Sequence, residues 1–199
     1  FPQILELLEP HEIGYHSSSH SIRPNIFEYH DVKNYEEAYL ESCERETSHI
    51  NVLTGKIEGR GGIELLRDVF AKKKIEAYRA PGLCWSPPHL EAMKKLGIKY
   101  DFSTNISPKP IYYKGITFYP SPMITDFPPQ GNDTTFRTLL ESFLKREVTV
   151  MAWHPNFFTN REPWDNFFFQ SNPQELLKVH LRSKKEIRYL FMKLELLLK

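Results

Sequence analysis

Strand-like stretches alternating with helical stretches of about ten residues constrain the fold of this chain more than any other feature. A strand, a helix and a second strand typically form one unit whose strands are parallel. The sequence therefore predicts an α/β fold with a mainly parallel sheet, in a single domain over residues 1–199. Helices are predicted over residues 3–9, 35–48, 63–73, 87–96, 134–145 and 174–198, and strands over residues 11–15, 75–79, 98–102, 113–119 and 148–153.

Glycine and proline mark the predicted loops. The glycines between residues 55 and 62 predict a loop before the helix over 63–73. Several prolines between residues 108 and 131 predict surface loops around the short strand over 113–119. Gly97 should end the helix over 87–96, because glycine tolerates the backbone conformation that follows a helix.

Charge and composition exclude several classes of function. Lysine and arginine number 26, aspartate and glutamate 25, so the net charge is +1 and a large nucleic-acid interface is not expected. No run approaches the ~18 apolar residues of a membrane helix, so no transmembrane segment is expected. Cys43 and Cys84 lack metal-binding spacing, which excludes a cysteine zinc site. One disulfide stays open, and a cytoplasmic location is favoured.

Three polar clusters follow predicted strands. They are the pentapeptide from His16 to His20, the stretch from Arg79 to Gly82, and the stretch from His154 to Asn156. In α/β folds, ligands and catalytic groups gather at the carboxyl ends of the strands. The coincidence predicts one functional site built from these three clusters.

His16 and His20 lie four residues apart, with three serines between them. Two imidazoles at this spacing can bind one divalent metal, most readily zinc. The small serines would leave the strand end open to a ligand. The alternative is a pair of hydrogen-bonded histidines beside a turn. Two histidines are too few to hold a metal well, and no third ligand is evident nearby.

Arg79 and His154 are the other candidates for chemistry. An arginine at a strand end can clamp a carboxylate, although an ordinary ion pair is the alternative. A histidine held between a buried strand and Pro155 fits a general acid or base, and a structural histidine is the alternative. Trp85 either lines a pocket or packs in the core. Asp101 is a candidate carboxylate without local evidence to select it.

Taken in order, these motifs resemble the NodB-homology polysaccharide deacetylases, carbohydrate esterase family 4. The stretch from His11 to His20 looks like the family's H-[ST]-x-x-H metal motif and the strand before it. The stretch from Tyr78 to Gly82, with the helix after it, resembles the arginine motif. Trp153-His154-Pro155 resembles the late histidine motif. The match spans residues from about 3 to about 156 of the chain.

The resemblance implies a distorted (β/α) barrel in which one aspartate and two histidines, His16 and His20, hold a divalent metal. Zinc is favoured, and cobalt, nickel or manganese would also suit these ligands. The reaction would be hydrolysis of the acetamide of an N-acetylated carbohydrate, with His154 protonating the leaving amine. Arg79 would orient the catalytic carboxylate. Asp101 loosely matches the family's fourth motif and would tune His154.

Pro81, Gly82 and Trp85, which follow Arg79, are predicted to bind the substrate. The family's paired aspartates, which supply the general base and the third metal ligand, are absent here. Because the chain begins at Phe1 without methionine or a signal-like segment, these aspartates are expected upstream, where a signal also stays open.

Three functions therefore stay open. The leading one is a metal-dependent deacetylase of N-acetylated sugars. The second is hydrolysis of another non-peptide C–N bond, in an allantoin-like or acetylpolyamine substrate. The third is a carbohydrate-binding relative without catalysis.

Overall fold

A computed structural model describes residues 2–17, 34–51, 54, 56–83, 85–104, 107, 109–120, 144, 150, 156–159 and 181–198. The chain divides into two compact units, Phe1–Ser121 and Pro122–Lys199. The single domain stays a prediction.

The first unit alternates helices and strands, as the sequence predicts. Its helices are α1 (Pro2–Leu8), α2 (Tyr35–Thr47), α3 (Gly62–Val69) and α4 (Pro87–Lys95), with a 3-10 turn over Pro81–Leu83. Its strands are β1 (Gly14–Tyr15), β2 (Ser48–Ile50), β3 (Ile57–Arg60), β4 (Ala77–Tyr78), β5 (Tyr100–Thr104), β6 (Ile111–Tyr113) and β7 (Ile116–Pro120).

Five of these strands form a sheet in the order β1-β4-β5-β7-β6. The pairs β1–β4, β4–β5 and β5–β7 are parallel, and β6 is antiparallel to β7. The predicted α/β fold with a mainly parallel sheet is therefore confirmed. The register aligns Tyr15, Tyr78, Asp101 and Phe118 in one row across the sheet.

That row faces the helices. Because successive side chains of a strand point to opposite faces, every second residue of β5 and β7 is buried. The main core combines strand residues with residues of α3 and α4, and Leu90 packs with the two β7 residues in a second cluster. The main core comprises Tyr15, Ile63, Ile75, Tyr78, Ala80, Met93 and Ile98, and the second cluster Leu90, Ile116 and Phe118.

Helix α4 has the ends that its sequence predicts. Prolines occupy its first turn after Ser86, where their missing N–H groups cost nothing. At the other end Gly97 has a φ of +89°, and the amides of Gly97 and Ile98 donate to the carbonyls of Lys94 and Met93. This is the Schellman motif, so the prediction that Gly97 ends the helix is confirmed.

Two hairpins were not predicted. Strands β2 and β3 are antiparallel, so the loop expected over residues 55–62 is wrong for residues 57–60. Strands β6 and β7 are joined by a tight turn at Lys114 and Gly115, whose φ angles are +48° and +90°. Positive φ at both central residues suits the twist of a two-residue hairpin.

In the second unit, the structure describes helices α5 (Asn156–Thr159) and α6 (Lys184–Leu198). The rings of Phe158 and Phe191 stack at 4.8 Å between centroids. Ser183 and Glu186 form a reciprocal capping box at the start of α6.

The predicted helix over 174–198 is confirmed from residue 184. The helix over 134–145 and the strand over 148–153 lie almost wholly outside the described residues. Within the described ranges, no helix combines the length and apolar character needed to cross a membrane.

Candidate functional site

The ends of β1 and β4 bring His16 and Arg79 together. The backbone N–H of Arg79 donates to the carbonyl of Tyr15 at 3.1 Å, which extends the parallel pairing past the two strands. The imidazole Nδ1 of His16 lies 2.6 Å from the backbone oxygen of Arg79. Two of the three clusters predicted to share a site are therefore in direct contact.

The contact with the Arg79 carbonyl defines the tautomer of the His16 ring. A carbonyl oxygen only accepts hydrogen bonds, so Nδ1 carries the hydrogen, and in the neutral ring Nε2 carries the lone pair. Histidines that bind metals typically donate their other ring N–H to a carbonyl or carboxylate in this way. His16 is exposed to solvent. Its tautomer and its exposure therefore both fit a metal ligand.

A metal centre at His16 needs further ligands. Over the described parts of the chain, no three histidine, cysteine, aspartate or glutamate side chains lie close enough to hold an ion. His20, the second predicted ligand, lies outside the described residues, as does His154, the predicted general acid. Both assignments stay predictions.

The guanidinium of Arg79 is half-buried. Burial lowers its pKa from the usual value, yet an arginine stays cationic at every physiological pH. Its buried Nε atom makes no hydrogen bond to any residue that the structure describes. Arg79 thus holds a positive charge at the end of β4, and its Nε donor has no partner among the described residues, which suits the carboxylate clamp that the sequence suggests.

The residues after Arg79 form a rigid turn. Pro81 is buried, and Pro81–Leu83 form a single turn of 3-10 helix that also contains Gly82. Trp85 is half-buried against Phe118, at 5.4 Å between ring centroids, with Tyr113 at 6.4 Å. These contacts give Trp85 a packing role. The substrate-binding roles of Pro81, Gly82 and Trp85 stay predictions.

Asp101 lies on the opposite face of the sheet from His16 and Arg79. Asp101 is in register with Tyr78 and points to the same face of the sheet. Because side chains alternate between the two faces along a strand, His16 and Arg79, one residue after Tyr15 and Tyr78, point to the other face. Asp101 is 0% exposed. The structure therefore does not bring Asp101 to His16 and Arg79, and its predicted role in tuning His154 stays a prediction, because His154 lies outside the described residues.

Asp101 has only partial compensation for its burial. The amide of Ser103 donates to its Oδ1 at 2.7 Å, and Ser103 Oγ in turn accepts from the amide of Ala80 at 2.7 Å. Its Oδ2 has no partner among the described residues. Burial raises the pKa of Asp101 to about 6, although the hydrogen bonds from Ser103 and the charge of His89 oppose the rise.

Replacing Asp101 by asparagine should remove a pH dependence of stability. The wild-type carboxyl has a pKa of about 6 in the folded chain, against an ordinary 3.8, so its contribution is complete below pH 4 and lost as the pH rises through 6. At 1.36 kcal/mol per pKa unit, the loss is about 3 kcal/mol. Asparagine keeps the acceptor for Ser103 and does not ionise.

Urea unfolding of both proteins at pH 4 and pH 7.5 measures this effect. The Asp101→Asn variant should gain about 2 kcal/mol relative to the wild type between these pH values, because the unfolded carboxyl is already partly ionised at pH 4. A difference that stays constant across the range would show that Asp101 ionises normally.

A second buried carboxylate, Glu46 in the last turn of α2, was not predicted from the sequence. Its Oε2 accepts from the Tyr15 hydroxyl at 2.5 Å, and its two oxygens lie 2.8 and 3.0 Å from the Ser17 hydroxyl. Nε2 of His89, on α4, lies 3.1 Å from Oε1. Glu46 and His89 are both 0% exposed.

These contacts decide the charge of Glu46. Burial raises the pKa of its carboxyl, but the hydrogen bond and positive charge of His89, with the hydroxyls of Tyr15 and Ser17, outweigh burial and lower it. The two buried carboxylates therefore differ in pKa direction because Glu46 has three side-chain partners. The nearest signal in the sequence was the polar character of residues 42–46 within an otherwise amphipathic helix.

Comparison with known proteins returned no match to this chain, whether with family models, curated proteins or solved structures.

Proposed function

We propose that the chain carries the strand-end site of a metal-dependent hydrolase that removes acetyl groups from N-acetylated sugars, within a distorted (β/α) barrel. The observation that carries the proposal is the hydrogen bond from His16 Nδ1 to the backbone oxygen of Arg79, at 2.6 Å. It joins two of the predicted motifs at the carboxyl ends of neighbouring parallel strands, where chemistry gathers in such folds.

His16 and His20 would hold the divalent ion, with a carboxylate from outside the described residues as the third ligand. Such an ion polarises the amide carbonyl and promotes ionisation of a water molecule at neutral pH. Because β1 stands at the end of the described strand order, a further parallel strand could pair beside it and supply that carboxylate next to His16.

The side chains of the chain supply the remaining steps. The backbone of Arg79 contacts His16, and its cationic guanidinium would hold the catalytic carboxylate ionised and oriented. His154 would give a proton to the leaving amine as the C–N bond breaks, so that acetate and the free amino sugar are released. The exposure of His16 gives a carbohydrate access to this edge of the sheet.

Replacing His16 by alanine in the full-length protein should lower deacetylation of a chito-oligosaccharide by about a hundredfold or more, because loss of a ligand exceeds the 10- to 100-fold cost of losing a ligand's supporting group. Acetate release, with zinc, cobalt, nickel or manganese added, measures the rate. His11→Ala is the matched control, since His11 is also exposed and lies outside the site. It should retain wild-type activity.

The proposal would be overturned if His16→Ala matched the wild type. Turnover of allantoin or an acetylpolyamine, without acetate release from the oligosaccharide, would assign the same site to another C–N bond. Sugar binding without turnover would assign a binding protein.

A further inference from the structure

We propose that Glu46 is the positioning residue for His16, an inference that rests on the proposed metal-binding role of His16. The residues on either side of His16 both donate to the same carboxylate. Tyr15 reaches Glu46 Oε2 at 2.5 Å, and Ser17 reaches both carboxylate oxygens at 2.8 and 3.0 Å.

This arrangement fixes the direction of the His16 ring. Successive residues of an extended strand point to opposite faces, so Tyr15, bound to Glu46 on the helix side, places His16 towards the other side, and the turned backbone at Ser17 brings the next hydroxyl back to the same carboxylate. On that other side, the His16 Nδ1 meets the carbonyl of Arg79. No hydrogen bond that the structure describes joins Glu46 to the His16 imidazole. Glu46 therefore acts on the ring through Tyr15 and Ser17.

The backbone at Ser17 shows that the anchor holds an unfavourable conformation. Ser17 has a φ of +62°, in the left-handed region that residues with a Cβ rarely adopt. Such a conformation persists when surrounding contacts determine it, and it is common at functional sites. The hydrogen bonds from the Ser17 hydroxyl to Glu46 are contacts of this kind. This turn starts the segment that leads to His20.

Glu46 is itself firmly held. It lies in the last turn of α2, it is fully buried, and the ring of His89 lies on Oε1 from the neighbouring helix α4. Gly62, at the start of α3, fits tightly against the backbone of Glu46, because a Cβ there would lie 2.2 Å from the Glu46 carbonyl oxygen. Residues of three helices, α2, α3 and α4, thus hold Glu46 in place, and Glu46 in turn holds the backbone turn at Ser17.

The substitution Glu46→Gln tests this role with little change in shape. The amide keeps only one acceptor oxygen and carries no charge, so the Ser17 hydroxyl loses one of its two contacts with this side chain, and the remaining hydrogen bonds from Tyr15 and Ser17 become weaker. We expect the population of the Nδ1–H tautomer of His16 to fall and that of the Nε2–H tautomer to rise. Long-range ¹H–¹⁵N NMR of the full chain measures both, with the His16→Gln spectrum assigning the His16 signals.

Metal affinity is the second measurement. Calorimetric titration with zinc should show affinity about 10- to 100-fold lower in Glu46→Gln than in the wild type, the range seen when a supporting group of a ligand is lost. Ser17→Ala should change both measurements in the same direction but less, and it keeps the buried Glu46–His89 pair if Glu46→Gln fails to fold.

Ser42→Ala is the control for stability alone. Ser42 is buried one turn earlier on α2 and donates to the carbonyl of Ala38, away from β1. It should leave the His16 tautomer and zinc affinity unchanged. Wild-type tautomer populations in Glu46→Gln or Ser17→Ala would overturn the role of Glu46. Absence of zinc binding by the wild type would instead overturn the proposed function, while the tautomer measurement would still decide whether Glu46 orients His16.

Discussion

Replacing His89 by alanine should lower the free energy of unfolding by about 3–5 kcal/mol, the usual cost of removing one partner of a buried charged pair. His89 and Glu46 are both fully buried, with 3.1 Å between Nε2 and Oε1. Without the imidazole, Glu46 keeps the hydroxyls of Tyr15 and Ser17 but loses the partner that contributes most to holding it ionised. Urea unfolding at pH 7 measures the loss.

The control for this variant is Tyr35→Phe. Tyr35 also joins α2 to α4, through a hydrogen bond of 2.6 Å from its hydroxyl to Glu91, but that contact is exposed to solvent. Its removal should cost less than about 1 kcal/mol, as is usual for exposed polar pairs. Equal losses in the two variants would show that the buried pair adds nothing beyond ordinary contact between the helices.

Replacing Gly62 by alanine should destabilise the chain by about 2–5 kcal/mol, from the left-handed backbone and from overpacking together. Gly62 has a φ of +54°. An added Cβ would meet the carbonyl oxygen of Glu46 at 2.2 Å and the hydroxyl of Tyr15 at 3.0 Å. Since the first contact is with backbone, the start of α3 or the end of α2 would have to move.

Gly59→Ala separates the two causes. Gly59 has a φ of +62°, close to that of Gly62, but no atom of the described residues lies within 4 Å of its added Cβ. Gly59→Ala should lower the free energy of unfolding only by the cost of the left-handed backbone, about 1 kcal/mol. Thermal unfolding of both variants measures the difference, and the steric argument fails if Gly62→Ala is no less stable than Gly59→Ala.

The sequence predicted the parallel part of the fold because periodicity and helix ends are local signals. Helix α4 illustrates this, since its prolines and Gly97 mark both of its ends. The hairpins were missed for an equally local reason. Gly59 lies inside β3 although glycine is typical of loops, and the turn at Lys114 lacks the usual asparagine or aspartate before its glycine.

Part of the candidate site was also predictable. Placing His16 and Arg79 after two strands was enough to expect them at one edge of a parallel sheet, and they are in contact. The buried partners were not predictable, because Glu46 lies 31 residues from Tyr15 and 43 from His89. Nothing in the spacing of these residues reveals their contact. Asp101 shows a further limit, since only the register of β5 reveals which face it occupies.

Strand β6 has a consequence for how this chain behaves among its own copies. It is the last strand in the described order, its three residues are all exposed, and Tyr112 is 74% exposed. The outer edge of a strand in this position is a template for aggregation. Its brevity, the missing N–H of Pro110 and the charges of Lys109 and Lys114 on either side oppose such pairing. The exposed tyrosines therefore occupy a strand that is poorly suited to join sheets of separate molecules.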